Sequence, residues 1–392
     1  MGKRMIMLLV AGGFLVMITA ISIWLTAYVY GSHRKKGWLG IGLGVFVVLL
    51  AITLGYQFNE NALITTWMYW PGRWISVETY GLMIGIIVTL AIMAVLALVT
   101  ALVNWRASKK TEVEGQSRRA FLRKAVLAVP AVSLVGASIE SFEGASQLEI
   151  THHKLGLKGW PRELNDYRIG QMSDMHIGPF INCNDFEKAL ALVQAEKPNR
   201  LVITGDIIDD LAWMPQVREL VAKYNKIFPD GITYILGNHE YFHDVDYVLG
   251  EMRKSGATVL RNSSVKIHSG SKEVYLAGVD YPFSQKFWQR QAFFEKAMTG
   301  IPKEATTILL AHHPDFIEQG FNAGIPLTLG GHTHGGQLVV ADMSLIPLGT
   351  TYWKGLYKQN GLYGYISNGT GHWFPMRVNC PREISVFELY RA

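Results

Sequence analysis

The chain has 392 residues, 49% of them apolar and 17% charged, with a formal net charge of +6. That length allows more than one domain, and the apolar residues crowd into the first third, which excludes a uniformly soluble chain. The basic surplus sits largely in loops between apolar runs, so it reads as a topology signal and no nucleic-acid partner is inferred from it.

In chain order the first elements are apolar runs. Met5–Tyr30, Trp38–Gln57 and Gly81–Val103 are each long enough to cross a hydrocarbon core, which takes about 20 apolar residues. Ala125–Ile139 is shorter, contains Pro130 and spans only marginally. Arg34, Lys35 and Lys36 separate the first two runs, and seven basic residues from Arg106 to Lys124 separate the third and fourth. Between the second and third lies only Arg73, among Trp67, Tyr69, Trp70 and Trp74, as suits an interfacial segment. The positive-inside rule makes both basic loops cytoplasmic. About four spans then put everything after about Ser141 outside, while Lys3 and Arg4 run mildly against that topology.

The stretch SRRAFLRK, 117–124, resembles the twin-arginine export signal of bacteria, although it follows three earlier runs; a plain positive-inside anchor is the alternative. The expectation is a transmembrane region over 1–140 in a bacterial inner membrane and a domain over 148–392 on the extracytoplasmic side. The bilayer is one partner. If the segment acts in export, the twin-arginine translocase is another, and the domain crosses already folded.

From Leu148 onward, strands alternate with amphipathic helices. YRIGQMSD, RLVITGD, GITYILGN, EVYLAGVD, TTILLAHH and LTLGGHTH read as strands, and NDFEKALALVQAEK, VRELVAKYNKIF and DVDYVLGEMRKSG as helices. Alternation of this kind argues for an α/β domain. The late strands LYGYIS and EISVFELY come with little helix, which predicts a second, more antiparallel sheet. Cys183 and Cys380 stand in no C-x-x-C spacing and are read as packing residues, their pairing left open.

Polar residues fall just past the predicted strand ends: Asp174 and His176, Asp206, Asn238 and His239, His312 and His313, His332 and His334. In open α/β sheets ligands bind at that edge. Carboxylate, carboxamide and imidazole without thiolate suit hard and borderline divalent metals.

In order, SDMHIGP, GDIIDD, GNHE, AHHP and GGHTHGG resemble the calcineurin-like metallophosphoesterases, whose pattern runs D-x-H, G-D-x-x-D, G-N-H-[DE], H, G-H-x-H. The resemblance covers the outer domain and implies an αββα sandwich, two β-sheets flanked by helices. It implies two divalent metal ions, manganese before iron or zinc. Asp174, His176, Asp206 and His334 would hold the first, and Asp206, Asn238, His312 and His332 the second, with Asp206 bridging. His239 would contact phosphate or protonate the leaving oxygen, and Asp209 would orient His239. His312 rather than His313 matches the ligand position, two residues before Pro314, and His372 either approaches substrate or packs a loop. The implied reaction is metal-assisted attack of hydroxide on a phosphoric ester.

The short tether after Ile139 and the aromatic loops LAWMP, QKFWQRQAFF, TTYWKGLY and HWFPM favour a phospholipid or other envelope phosphate as substrate, cleaved at a diester or pyrophosphate. Two alternatives stand beside it: a hydrolase of soluble nucleotides or cell-wall phosphates, and a non-catalytic membrane sensor that keeps the fold.

Overall fold

The computed structural model describes residues 33–57, 71–83 and 147–392, except 284–286, 345–347 and 374, with the single positions 95, 132 and 136. The run 5–30, the segment 117–124 and nearly all of 81–103 and 125–139 lie outside the described residues. Two compact units are present.

The first unit holds α1 (His33–Gln57) and α2 (71–83). Phe46 and Leu50 of α1 are buried against Leu82 and Met83 of α2. Thr53 Oγ1 donates to Thr79 Oγ1 at 3.1 Å, and Thr79 Oγ1 in turn to the Ile75 carbonyl at 2.7 Å, so each hydroxyl finds an acceptor without water. Among the described residues no helix is long and apolar enough to cross a membrane. The side chains of α1 are described only over 44–56, fewer than the about 20 residues that a span needs.

The second unit contains two six-stranded sheets. The first runs β1 (Leu148–Leu157), β14 (Arg382–Arg391), β2 (Tyr167–Met172), β3 (Arg200–Thr204), β4 (Ile232–Ile235) and β5 (Thr258–Leu260). The second runs β12 (Gly355–Gln359), β13 (Leu362–Ile366), β9 (Leu327–Gly330), β8 (Thr306–Leu310), β7 (Val274–Gly278) and β6 (Ser263–His268). A small ribbon pairs β10 (Val339–Val340) with β11 (Met343–Ser344). The helices are α3 (Cys183–Ala195), α4 (Met214–Asn225), α5 (Val245–Lys254), α6 (Phe287–Met298) and α7 (Phe316–Asn322).

Strand periodicity divides the apolar residues between layers, because successive side chains leave a strand on opposite faces. Leu201 and Ile203 of β3 meet Phe186, Leu190 and Val193 of α3 and Val217 and Val221 of α4, while Val202 between them faces the other sheet. Ile308 and Leu310 of β8 join Val202, Ile235, Leu276, Leu327 and Leu329 in the layer between the sheets, and Leu309 packs outward with Phe294 of α6. The result is helices, sheet, sheet, helices: the αββα arrangement that the resemblance implied. Helix α3 begins where the Asn182 side chain accepts from Asp185 N at 3.0 Å and the Asp185 carboxylate accepts from Asn182 N at 3.3 Å.

Two expectations are corrected. A second sheet is present and is the more antiparallel, through β12 with β13 and β6 with β7, but the late strands do not build it by themselves: β13 also pairs parallel with β9 there, and β14 enters the first sheet between β1 and β2. Their pairing partners lie far away in sequence, where local pattern carries no information. QKFWQRQAFF is not an aromatic loop over its described part, because Phe287 onward forms α6. LAWMP is a short turn of 3₁₀ helix leading into α4, with Met214 buried in the core and Trp213 packed against it. Tyr352 and Tyr357 of TTYWKGLY pack against Ile317, Phe321 and Ile366.

Candidate metal centre

The parallel strands β2, β3, β4, β8 and β9 end on one rim, to which both sheets contribute. Past β2 and β3 the chains stay paired: Asp174 N donates to the Gly205 carbonyl at 3.0 Å and His176 N to the Asp206 carbonyl at 2.9 Å. Past β8 and β9, Gly331 N donates to the His312 carbonyl at 3.1 Å. Asp174, His176, Asp206, His332 and His334 have left-handed φ values of 54°, 51°, 52°, 76° and 51°. Such backbone costs on the order of 1–3 kcal/mol per residue and gathers at functional sites.

The glycines of GGHTHGGQ serve this crowding. A Cβ at Gly331 would strike Ser173 Oγ and Asp174 Oδ2, and one at Gly335, whose φ is 58°, would strike Asn368 Oδ1.

Every candidate ligand named from the sequence is brought to this rim. Donor atoms of Asp174, His176 and His334 lie within 4.8 Å of one another, as do those of Asp206, His312 and His332. His334 Nε2 is 3.5 Å from Asp174 Oδ1, and His312 Nε2 is 3.1 Å from Asp206 Oδ2. Asp206 also reaches toward the first group, with Oδ2 3.7 Å from His176 Nε2. A third set, His176, Asp206 and His239, meets the same distance criterion, so His239 stands close to the centre as well. Asn238 lines the cavity of about 260 Å³ over the rim, with Asp206, His239, His332 and His334.

Asp209 touches two rings: its Oδ1 is 2.7 Å from His239 Nδ1 and 3.2 Å from His176 Nδ1. A carboxylate only accepts, so both rings carry a proton on Nδ1, and the His176 Nε2 is the nitrogen that offers a lone pair. Burial disfavours charge on His239, but Asp209 and Asp206 outweigh it and raise its pKa to about 9. Burial likewise opposes the Asp209 carboxylate, yet His239 and His176 hold it well below the usual range. His332 and His334 are pushed well down, by burial first and then by His312 and His176 respectively, which keeps both neutral.

Neutral imidazoles beside carboxylates are the state in which both bind metal. Three observations fit a pair of cations here. Asn238 Oδ1 and His312 Nε2 are buried and make no hydrogen bond. His176 Nε2 and His334 Nε2 face each other at 3.0 Å. His312, disfavoured as a cation by burial, is nonetheless raised to about 10 by Asp206 and Asp174, so the pocket attracts positive charge.

Other residues complete the geometry. The His312 Nδ1 hydrogen goes to the Thr204 carbonyl at 2.7 Å, which turns Nε2 inward. His313 is buried and stacks on His332 at 5.6 Å, and His372 is fully buried among loop residues. Glu240, fully buried, accepts from Ile207 N at 2.6 Å, Gly237 N at 2.8 Å and Asp206 N at 3.2 Å, bracing the loops of Asp206 and Asn238. The sequence pattern marked that position without a role. Tyr281 OH lies 3.3 Å from His332 Nε2, just past the end of β7, where the same strand-end argument reaches it. Nothing in the local pattern signals Arg377 or the second role of Cys380. Beyond packing, the Cys380 thiol donates to the His334 carbonyl at 3.1 Å, and both cysteines are free.

The family model described as calcineurin-like phosphoesterase matches residues 167–336, from β2 to the end of the glycine-rich turn. An uncharacterized metallophosphoesterase of Aquifex aeolicus is 30% identical over 228 residues, covering 57% of this chain and 85% of its own length. One from Helicobacter pylori is 31% identical over 252 residues, covering 63% of this chain, and the alignment spans 65% of that relative. A Danio rerio transmembrane protein with metallophosphoesterase domain is 28% identical over 299 residues, covering 73% of this chain and 66% of its own. On its fold, its rim of ligands and these likenesses, the chain belongs to the calcineurin-like phosphoesterase family.

Proposed function

We propose that the protein is a membrane-anchored, dinuclear metal-dependent phosphohydrolase acting on the phosphodiester or pyrophosphate of a lipid-linked or envelope component. The observation that carries the hydrolase is the convergence of Asp174, His176, Asp206, Asn238, His312, His332 and His334 on one rim, where Asp206, Asn238, His332 and His334 line a cavity and Asp206 stands between two ligand groups. A bound pair of divalent ions, manganese before iron or zinc, supplies Lewis acidity and an activated water for in-line attack at phosphorus. The chain's own residues then do the rest. Asp206 Oδ2 faces both groups, 3.1 Å from His312 Nε2 and 3.7 Å from His176 Nε2, while Oδ1 accepts from His239 N. His239, held through Nδ1 by Asp209, faces the cavity and donates to a phosphoryl or leaving oxygen. Asp209 fixes the orientation of His239 and His176 together.

Two features support an apolar substrate beside a bilayer. Trp373, 40% exposed, and Leu348 line the cavity, and Phe242, 46% exposed, packs on the His239 ring at 5.0 Å. Phe283, Phe287 and Trp288 are exposed as well. The apolar runs of the first third and the basic loops between them support the anchor and an extracytoplasmic domain, and the relative from Danio rerio is itself described as transmembrane.

Phosphorus NMR tests both parts. A bacterial envelope lipid extract is incubated with the manganese-loaded full chain in detergent, with Asn238→Ala as control. Loss of one lipid phosphate resonance with the wild type alone is expected. An unchanged extract alongside a cleaved aryl phosphodiester removes the lipid and keeps the hydrolase; no cleavage of either removes both.

A further inference from the structure

The closing segment, outside the residues matched by the family model, contains a buried cation. Arg377 is 1% exposed, its Nε makes no hydrogen bond, and among the described residues no carboxylate lies within ion-pair distance of it. Removing a guanidinium from water without an anion costs several kcal/mol. Its hydrogen bonds run mainly to carbonyl oxygens, Nη2 to Asn368 at 2.8 Å and Gly371 at 2.7 Å, Nη1 to Cys380 at 3.0 Å and Pro381 at 3.5 Å, with a weaker one from Nη1 to the Cys380 sulfur at 3.8 Å. The two stronger acceptors take both Nη2 hydrogens, so its approach to His334 Nδ1 at 3.2 Å is a contact of packing and charge.

These carbonyls belong to segments that touch the metal centre. Thr370 N donates to the Ser173 carbonyl at 2.7 Å and Gly371 N to the Asp174 carbonyl at 3.0 Å. The Cys380 thiol reaches the His334 carbonyl at 3.1 Å and the Gly335 carbonyl at 3.2 Å. The fit is tight: a Cβ on Gly369 would lie 3.0 Å from His334 Nδ1 and 3.2 Å from both Arg377 Nη2 and Asp174 Cβ. A planar fork with five N–H groups suits this arrangement, whereas lysine's point charge does not.

We propose that Arg377 is a positioning residue for the metal at Asp174, His176 and His334: its guanidinium ties the loop behind Asp174 to the segment 380–381 behind His334 and fixes the spacing of those two ligands. The proposal rests on the dinuclear reading above, and its test separates the two. Manganese is titrated into the full-length wild type, Arg377→Lys and Cys380→Ala, with binding followed by calorimetry and the metal pair by low-temperature electron paramagnetic resonance. The wild type takes two ions and shows a spin-coupled spectrum. Arg377→Lys loosens one site about tenfold or more and leaves the other, and the coupled spectrum gives way to that of an isolated ion. Cys380→Ala, which keeps the guanidinium, loosens the same site by a smaller factor. Arg377→Lys that binds both ions as the wild type does, with the coupled spectrum intact, overturns the clamp. If that variant does not fold, Arg377→Gln is titrated in its place, and unchanged binding of both ions with the coupled spectrum intact overturns the clamp. A wild type that holds fewer than two ions overturns the metal reading and the clamp with it.

Discussion

The first sheet brings Asp174, His176, Asp206 and Asn238 to the rim, whereas the candidate ligands that the second brings, His312, His332 and His334, are all imidazoles. The two halves are also braced differently. On the carboxylate side, backbone N–H groups and buried acids do the holding: His239 N donates to Asp206 Oδ1 at 2.8 Å, Glu240 accepts from three amides, and Asp209 joins two rings. On the imidazole side His332 N donates to the Asp174 carboxylate at 3.0 Å, and the remaining braces are a carbonyl behind His312, a tyrosine hydroxyl beside His332 and a buried guanidinium behind His334. A position between two cations favours an anion, since two cations about 3.5–4 Å apart repel less across one. The difference between the halves therefore divides the labour: one neutralises, the other shapes.

Experiments that break this division differ in expected size. Asp206→Asn removes the shared anion and should lower kcat on an aryl phosphodiester by about a thousandfold, with metal content falling in parallel; near-normal turnover would show that Asp206 does not bridge. His239→Ala should cost about a hundredfold in kcat while both ions stay bound, which metal analysis of the purified variant checks. Asp209→Asn, which touches a ligand and the donor at once, should reduce both turnover and metal affinity, the latter by about tenfold. Glu240→Ala leaves three buried amides without an acceptor and should lower unfolding free energy by about 3 kcal/mol in denaturant titration. The smallest effect is expected at the rim: Trp373→Ala should raise KM severalfold for a long-chain phosphate while leaving a short aryl ester unchanged, and equal effects on both would argue against an apolar subsite.

Much of the candidate site is legible in the sequence, because metal chemistry restricts residue type and the strand-end rule restricts location. That rule marks Asp174, His176, Asp206, Asn238, His239, His312, His313, His332 and His334, and the family resemblance separates His312 from His313. The helices α3, α4 and α5 were legible from their apolar spacing. Helix α6 was not, since FWQRQAFFEKAM has aromatics at both exposed and buried positions and only Arg290, Phe294 and Ala297 are fully inward. Glu240 occupied a marked position, but its task depends on amides that come from another strand end.

Residue type and local period are enough to give the set of candidate ligands, the alternation of strands and helices, and the contrast between an apolar first third and a charged remainder. Tertiary structure alone decided which sheet β13 and β14 join, that two sheets share one rim, and that Arg377 stands behind His334. Those are pairings between segments distant in the chain. Their free energy comes from packing and hydrogen bonds that exist only once the layers have closed, so no local pattern announces them.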